Sequence, residues 1–489
     1  MGTTTIKLIL PLLALSATTL QGQEAAIDTL ALRAHTSYLS HDLLKGRATA
    51  SRGERLAAAY IAAECRALGL GPLSADFRQT VPLEEALVLE TTDLVASAPG
   101  GDMRFGYPAD FLPNVGTAST LVDFGGATVF VGDSRTVAGG GLGDLDVTGK
   151  VAVTLGPFRG AAADTLTARG VAGMIHLVGD EGAFQLYARS RGATRLYHRE
   201  ADVRSSFLPE LPSVLAGPRM ARALLAEVAW DSDEGPSPTA LAWTVAVHVA
   251  LERRPVDAAN VACALPGADS ARSDTAIVFT AHYDHLGIGT PDETGDSLYN
   301  GFSDNAAGVA MLLAIAQSLA GDRSAPLDYS VVFLFLSGEE RGLLGSDYYV
   351  VYPLWPLERT AAVINLDAGA PPAPPTSWHL AGVDSTGLGA IAIGVAADHG
   401  WDIATSSARP NSDYYPFARE GVPALFIIPG PAPYEGLTAD SSKALRRRWD
   451  HYHQPGDEWA EDFPFGGLAR YAGYALRIAR EIDTGTLGN

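Results

Sequence analysis

The chain is expected to fold as an α/β protein: a mostly parallel, mixed sheet flanked by helices, interrupted by a smaller β-rich domain. Three observations predict this. From residue 260 onward, candidate strands alternate with candidate helices, the rhythm of a helix-covered sheet. Those strands are rich in Val, Ile and Phe without polar alternation, as expected where both faces of a sheet are covered. Over 110–250 the texture changes to short β-like runs among Gly-rich turns.

At the start, Lys7 precedes an unbroken apolar run from Leu8 to Leu15, then small and polar residues up to Gln23. The run is shorter than the roughly 20 apolar residues a bilayer demands. It reads as a signal peptide over 1–22, cut between Ala17 and Gln23. The mature protein is therefore expected to be exported, periplasmic or secreted, without stable membrane insertion. Residues 28–70 carry helical spacing, with an Ala-rich amphipathic segment over 54–68 stopped by Gly69. They fall in 24–109, assigned to the first part of the main domain. The β-rich insert takes 110–250, with strands predicted at 128–131, 150–155, 173–178 and 244–250. The main domain resumes over 251–489. Its strands are predicted at 260–265, 275–281, 329–336, 361–366 and 424–428, and its helices at 305–319, 343–350, 388–399 and 468–482.

With 47% hydrophobic and 19% charged residues over 489 positions, the chain is too apolar for disorder and long enough for two or three buried cores. Lys and Arg number 35 against 56 Asp and Glu, a net charge of −21 that repels phosphate backbones and argues against nucleic acid as a partner. Cys65 and Cys263 are too few for a disulfide scaffold or a Cys-rich zinc site. One bridge between them and two buried thiols are equally open. Any metal must be held by imidazole and carboxylate.

Polar groups gather where the predicted strands end, the place at which open α/β sheets bind ligands. His282-Tyr283-Asp284-His285 follows one strand, and Ser303-Asp304-Asn305 opens the next helix. Ser337-Gly338-Glu339-Glu340 and Asp367 follow two more, and Tyr452-His453 lies beyond the last. Carboxylates crowded into a partly dry cleft repel one another unless cations neutralise them. A pair of divalent ions does so. His282, Asp304, Glu340, Asp367 and His453 offer two nitrogen donors and three carboxylates, a mixture that suits Zn²⁺. If Asp304 bridges, each metal receives one His, one private carboxylate and the shared one, with a position left for water. Adjacent Glu339 and Glu340 diverge, so one can bind metal while its neighbour serves as general base. Asp284 can accept a hydrogen bond from the second nitrogen of His282 and fix its tautomer. His285 and His451 are the positions where a ligand is most easily misassigned. His-Glu-x-x-His, Gly-x-Ser-x-Gly and P-loop patterns are absent.

These motifs resemble those of M28-type zinc aminopeptidases. The matching stretches are Ala281-His282-Tyr283-Asp284-His285-Leu286-Gly287, Asn300-Gly301-Phe302-Ser303-Asp304-Asn305-Ala306-Ala307-Gly308, Ser337-Gly338-Glu339-Glu340-Arg341-Gly342, Asn365-Leu366-Asp367, Asn411-Ser412-Asp413-Tyr414 and Tyr452-His453-Gln454-Pro455-Gly456-Asp457. The resemblance implies the zinc exopeptidase fold, with 110–250 similar to a protease-associated (PA) domain. It implies two Zn²⁺ ions, with Co²⁺ or Mn²⁺ as substitutes. One would be held by His282, Asp304 and Asp367, the other by Asp304, Glu340 and His453. Glu339 would be the general base, and Tyr452 a hydrogen-bond donor to the tetrahedral intermediate. The activity implied is release of N-terminal residues from peptides by a water that two zinc ions activate. Carboxypeptidase or dipeptidase action, glutaminyl cyclisation, and a non-catalytic receptor-like role on the same scaffold are the alternatives. Two departures stand out. Tyr414 occupies a position where the family commonly has His, which could alter substrate contacts. The segment 429–450 is long and ends in Arg446-Arg447-Arg448, either a solvated face or a clamp for acidic peptide groups.

Overall fold

A computed structural model describes residues 27–114, 123–158, 161–191, 194–206, 211–226, 228, 230–231, 235–322, 324–383, 387–431 and 433–485. The expected signal peptide lies outside them.

The main sheet has ten strands. Its centre is parallel: Ser330–Leu336, Ala276–His282, Thr360–Asn365 and Ala424–Pro429 run side by side in that order. The flanks are antiparallel. Leu251–Leu265 pairs with Ser330–Leu336 on one side, and Ser377–Ala381 with Ala424–Pro429 on the other. The sheet is thus mixed, with its parallel part where the apolar runs are purest. Along Ser330–Leu336 every residue is buried. Val331, Phe333 and Phe335 enter one core, while Val332, Leu334 and Leu336 enter the core on the opposite face. Period-2 side chains that are apolar on both faces explain the absence of alternation in the sequence.

Helices Thr29–Leu39, Arg52–Ala67, Ala307–Gly321, Gly387–Asp398 and Gly466–Thr484 supply the larger core. Ala307–Gly321 is buried on nearly all sides, as its stretch from Ala307 to Ala316 without a polar side chain demands. The shorter Leu344–Val351 and Tyr414–Arg419 supply the other face. Cys65 and Cys263 form a disulfide that ties Arg52–Ala67 to the strand Leu251–Leu265.

Two long strands, Arg78–Val88 and Leu251–Leu265, pair antiparallel from Arg78 opposite Val261 to Val88 opposite Leu251. Between them lies a second sheet of eight strands with its own apolar layer on each face. It begins with Asp93–Ala98 and ends with Thr239–His248. It also contains helices: Ala161–Ala168 joins the parallel strands Val151–Leu155 and Gly173–Leu177, and Glu181–Arg191 follows the second of them. Short helices of this kind carry little periodicity, so the sequence reads there as strands and turns alone. One strand of this region, Thr194–His198, returns to the main sheet and pairs with Arg78–Val88. Among the described residues, no helix is long and apolar enough to cross a membrane.

Candidate active site

The parallel strands Ala276–His282, Ser330–Leu336 and Thr360–Asn365 end side by side, so the polar residues that follow each strand converge. His282 closes the first of these strands and is 1% exposed. Its Nε2 lies 2.8 Å from Asp367 Oδ1 and 3.2 Å from Asp304 Oδ1. The second carboxylate oxygen of Asp304 faces the other way, 3.1 Å from His453 Nε2. That nitrogen is also 3.2 Å from Glu340 Oε2, and Glu340 Oε1 meets His285 Nδ1 at 2.6 Å. Two groups of donor atoms result, His282–Asp304–Asp367 and His285–Asp304–Glu340, each gathered within 4.8 Å and sharing Asp304. His453 stands at the second group as well, so two imidazoles reach it.

Local backbone explains how Asp304 comes to point inward. It lies in a tight turn over Phe302–Ala306, joined to Asn305 by a cis peptide bond, ahead of the helix Ala307–Gly321. It does not cap that helix. Asn305 does the local work instead, its Oδ1 accepting from Gly308 N–H at 2.9 Å. Gly301 before the turn has φ +61, and a Cβ there would come within 2.3 Å of Asp304 O and 2.6 Å of the His285 ring. Only glycine fits so close an approach. Asp457 then holds the turn by accepting from Ser303 N–H, Ser303 Oγ–H and Asp304 N–H.

Other anchors come from distant sequence. Arg47 is 1% exposed and donates to the main-chain oxygens of Tyr283 (2.8 Å), Asn300 (2.7 Å), Gly301 (3.0 Å) and Leu39. It thereby clamps the His282 segment to the Asp304 segment. Burial lowers its pKa to about 10, the nearby Asp284 and Asp304 opposing that, so it remains a cation at neutral pH. Thr49 donates to Asp284 Oδ2 at 2.8 Å, and Glu339 N–H to Asp284 Oδ1 at 3.2 Å. The carboxylate expected to orient His282 is 3.6 Å from its Nδ1, whereas the main-chain oxygen of Asp284 is 3.1 Å away. Asp367 is oriented from behind by Ser412 Oγ–H, which also accepts from Asn365 at 2.7 Å. Arg47 and Thr49 carry no signal in the sequence. Ser412, Asp413 and Asp457 stand inside the matching stretches, where residue type and spacing alone mark no role.

Electrostatics tell the same story of an acidic pocket calling for positive charge. Burial opposes a proton on His282, yet Asp367, Asp284 and Asp304 outweigh it and raise its pKa well above the ordinary imidazole value. For His453 burial is likewise outweighed, by hydrogen bonds to Asp304 and Glu340, and the pKa rises to about 10. Burial and Asp304 push Glu340 up, but His285 and His453 bring it down to about 2. Burial raises Glu339 well above the usual carboxylate range, with Asp367, Glu340 and Asp413 adding to the effect and His282 opposing it. Burial likewise takes Asp413 up to about 8. Donor types, convergence and excess of buried carboxylate all fit a pair of divalent cations, with Asp304 between them.

Tyr452 is 61% exposed, and its ring stacks on His453 at 3.8 Å between centroids. It lines a cleft of about 270 Å³ with Asp304, Asp367, Tyr434, Arg446 and Trp449. His451 instead turns toward Arg448 O at 3.2 Å. Tyr414 is fully buried in the smaller core beside Phe426, and its hydroxyl accepts from Arg409 N–H at 2.8 Å. It does not line the cleft.

Residues 260–477 match the model of Peptidase family M28. Over that stretch the chain is similar to M28 peptidases. The model spans the parallel strands and every residue of the two donor groups. Among solved structures, the chain is similar to an aminopeptidase from Aneurinibacillus sp. strain AM-1, with 18% identity, 94% of each chain covered and a TM-score of 0.56. It is also similar to BSAP, a zinc aminopeptidase from Bacillus subtilis, with 19% identity, 94% of this chain and 95% of that one covered, and a TM-score of 0.47. A Peptidase M28 precursor from Shewanella amazonensis SB2B gives 17% identity, 94% of each chain and a TM-score of 0.46. The first of these likenesses concerns the fold alone. No curated protein sequence matches the chain.

Proposed function

We propose that this protein is an exported metallo-aminopeptidase with two zinc ions. The reading rests on one observation: Asp304 turns one carboxylate oxygen to each of two His–carboxylate groups. A carboxylate shared in this way is what a bridged metal pair requires. His282, Asp304 and Asp367 would hold one ion, and Asp304, Glu340 and His453 the other. His453 is assigned over His285 because its Nε2 is about equally near Asp304 and Glu340, at 3.1 and 3.2 Å. His285 is fully buried, 3.9 Å from Asp304, and bonds Glu340 from behind.

Bound zinc supplies Lewis acidity toward the scissile carbonyl and lowers the pKa of water from 15.7 toward roughly 7. The remaining chemistry belongs to the chain. Glu339, whose own pKa burial raises, takes the proton of the attacking water and returns it to the leaving amine. Tyr452, which lines the cleft, would donate from its hydroxyl to the developing oxyanion. Asp284 ties two strand ends together, its main-chain oxygen meeting His282 Nδ1 and its carboxylate accepting from Glu339 N–H. The acidic lining suits a free α-amine, which favours an exopeptidase acting at N-termini. The similar aminopeptidase of Aneurinibacillus, which is covered almost end to end, is consistent with this. Export is supported by the apolar start of the sequence and by the Cys65–Cys263 disulfide, a bond that persists in oxidising compartments. The second sheet would be a PA-like insert that narrows access to the cleft.

The test is hydrolysis of leucyl-p-nitroanilide and its N-acetyl derivative by zinc-loaded protein. The free-amine substrate should be cleaved and the blocked one spared. Equal rates on both would defeat the aminopeptidase reading. Glu339→Gln should lower kcat by about 10²–10⁴ with zinc content unchanged.

A further inference from the structure

Of the three consecutive arginines at 446–448, one differs from its neighbours in its surroundings. Arg447 is exposed, and Arg448 pairs with Asp462 at 2.5 Å at the surface. Arg446 turns inward from the helix Ala439–Trp449 and lines the same 270 Å³ cleft as Asp304 and Asp367. It is held there firmly. Its guanidinium lies 5.3 Å from the Tyr434 ring centroid, Nε donates to Tyr434 Oη at 3.1 Å, and Nη2 donates to Gly430 O at 2.6 Å. Its Nη1 has no hydrogen-bond partner, and the side chain makes no ion pair, among the described residues.

An unpaired guanidinium inside an acidic cleft, in a chain of net charge −21, needs a reason. Fixing Gly430 and Tyr434 accounts for Nε and Nη2 but leaves Nη1 without a task in the cleft that Arg446 lines. The planar fork of arginine matches a carboxylate, and an arginine already fixed by other bonds loses little freedom on binding one. The cleft's volume lies just below the usual range for small-ligand pockets, so it suits one or two amino-acid residues. We infer that Arg446 recognises a carboxylate of the substrate within this cleft, making acidic or very short peptides the preferred substrates. This rests on the aminopeptidase reading. The carboxylate comes either from the side chain of an N-terminal Asp or Glu or from the C-terminus of a dipeptide.

Two arms distinguish these sources. In the first, aspartyl- and glutamyl-p-nitroanilide are compared with leucyl-p-nitroanilide. In the second, the dipeptide Leu-Gly is compared with its C-terminal amide. Zinc-loaded wild type, Arg446→Gln, Arg446→Lys and Arg447→Gln are each measured. In one arm, Arg446→Gln should lower the ratio of kcat/KM for the carboxylate-bearing substrate to that for its neutral counterpart by about ten- to hundredfold. Arg447→Gln should keep the wild-type ratio. A fall in the first arm assigns the side-chain carboxylate, and a fall in the second assigns the terminal one. If Arg446→Gln does not fold, Arg446→Lys carries the test, because a point charge without the fork should also lower the ratio. Ratios unmoved in both arms overturn the proposal. A wild type that hydrolyses none of the five substrates defeats the aminopeptidase reading itself, and this proposal with it.

Discussion

Asp304 Oδ2 lies 3.1 Å from His453 Nε2, on the side opposite the oxygen that faces His282. Some 150 residues of chain separate the two, and they meet because Asp457 bonds back to the turn that carries Asp304. This contact joins the two halves of the site. It makes Asp304 the residue on which both depend.

Replacement of Asp304 by Asn should therefore remove more metal than loss of any other single ligand. Asp304→Asn is expected to hold well under two zinc ions per chain and to lose activity by about a thousandfold or more, the scale at which a central electrostatic group acts. Asp367→Asn and Glu340→Gln should each retain one ion. Metal analysis after gel filtration decides it, and a full complement of two in Asp304→Asn would rule out the bridge.

His453 and His285 should separate by affinity. With His453→Asn, one of the two ions should be lost at micromolar free zinc. His285→Asn removes a partner of Glu340 rather than a ligand, so binding should weaken about 10–100-fold with stoichiometry preserved. Titration with a zinc indicator measures both. The opposite pattern would make His285 the ligand.

Arg47 should matter to stability as well as to activity. Arg47→Met leaves four main-chain carbonyls without their donor and an acidic pocket without its fixed cation. About 3–5 kcal/mol of destabilisation is expected, the usual result of breaking a buried charged network from one side. Arg47→Lys should recover only part, because a single ammonium cannot span those acceptors. Denaturant unfolding of the metal-free protein reads the effect without interference from zinc.

A pH dependence arises away from the metal groups, where Asp347 accepts from Ser206 N–H and Oγ–H and pairs with Arg419 at 3.2 Å. Burial raises its pKa from 3.8 to about 7, Ser206 and Arg419 opposing the shift. The folded chain thus keeps a proton that the unfolded chain releases. The associated stability is fully present below about pH 4 and is lost as pH rises through about 7. Asp347→Asn should flatten the fall in stability between pH 4.5 and 7.5, as seen in denaturation midpoints. An unchanged slope would show that Asp347 is not protonated in the folded state.

Much of this protein was legible in its amino-acid order. Runs such as 331–336 and 276–279 are apolar at every position because both faces of the central strands are covered, and that property survives in a bare string of letters. The residues that follow them, His282, Glu339, Glu340 and Asp367, converge because parallel neighbours end at the same edge. What tertiary structure alone decided is pairing between distant segments. Ser377–Ala381 and Asp402–Ser406 lie at the edge of the sheet, where mixed burial blurs the pattern and hides the strands from a reading of the sequence. Arg47 sits in a short Lys-Gly-Arg stretch like many surface turns, and only packing turns it inward. Likewise, nothing in the spacing of His285 and His453 distinguishes their places around Glu340. Local sequence encodes which face a residue presents, whereas the partner waiting there is set by how the chain returns on itself.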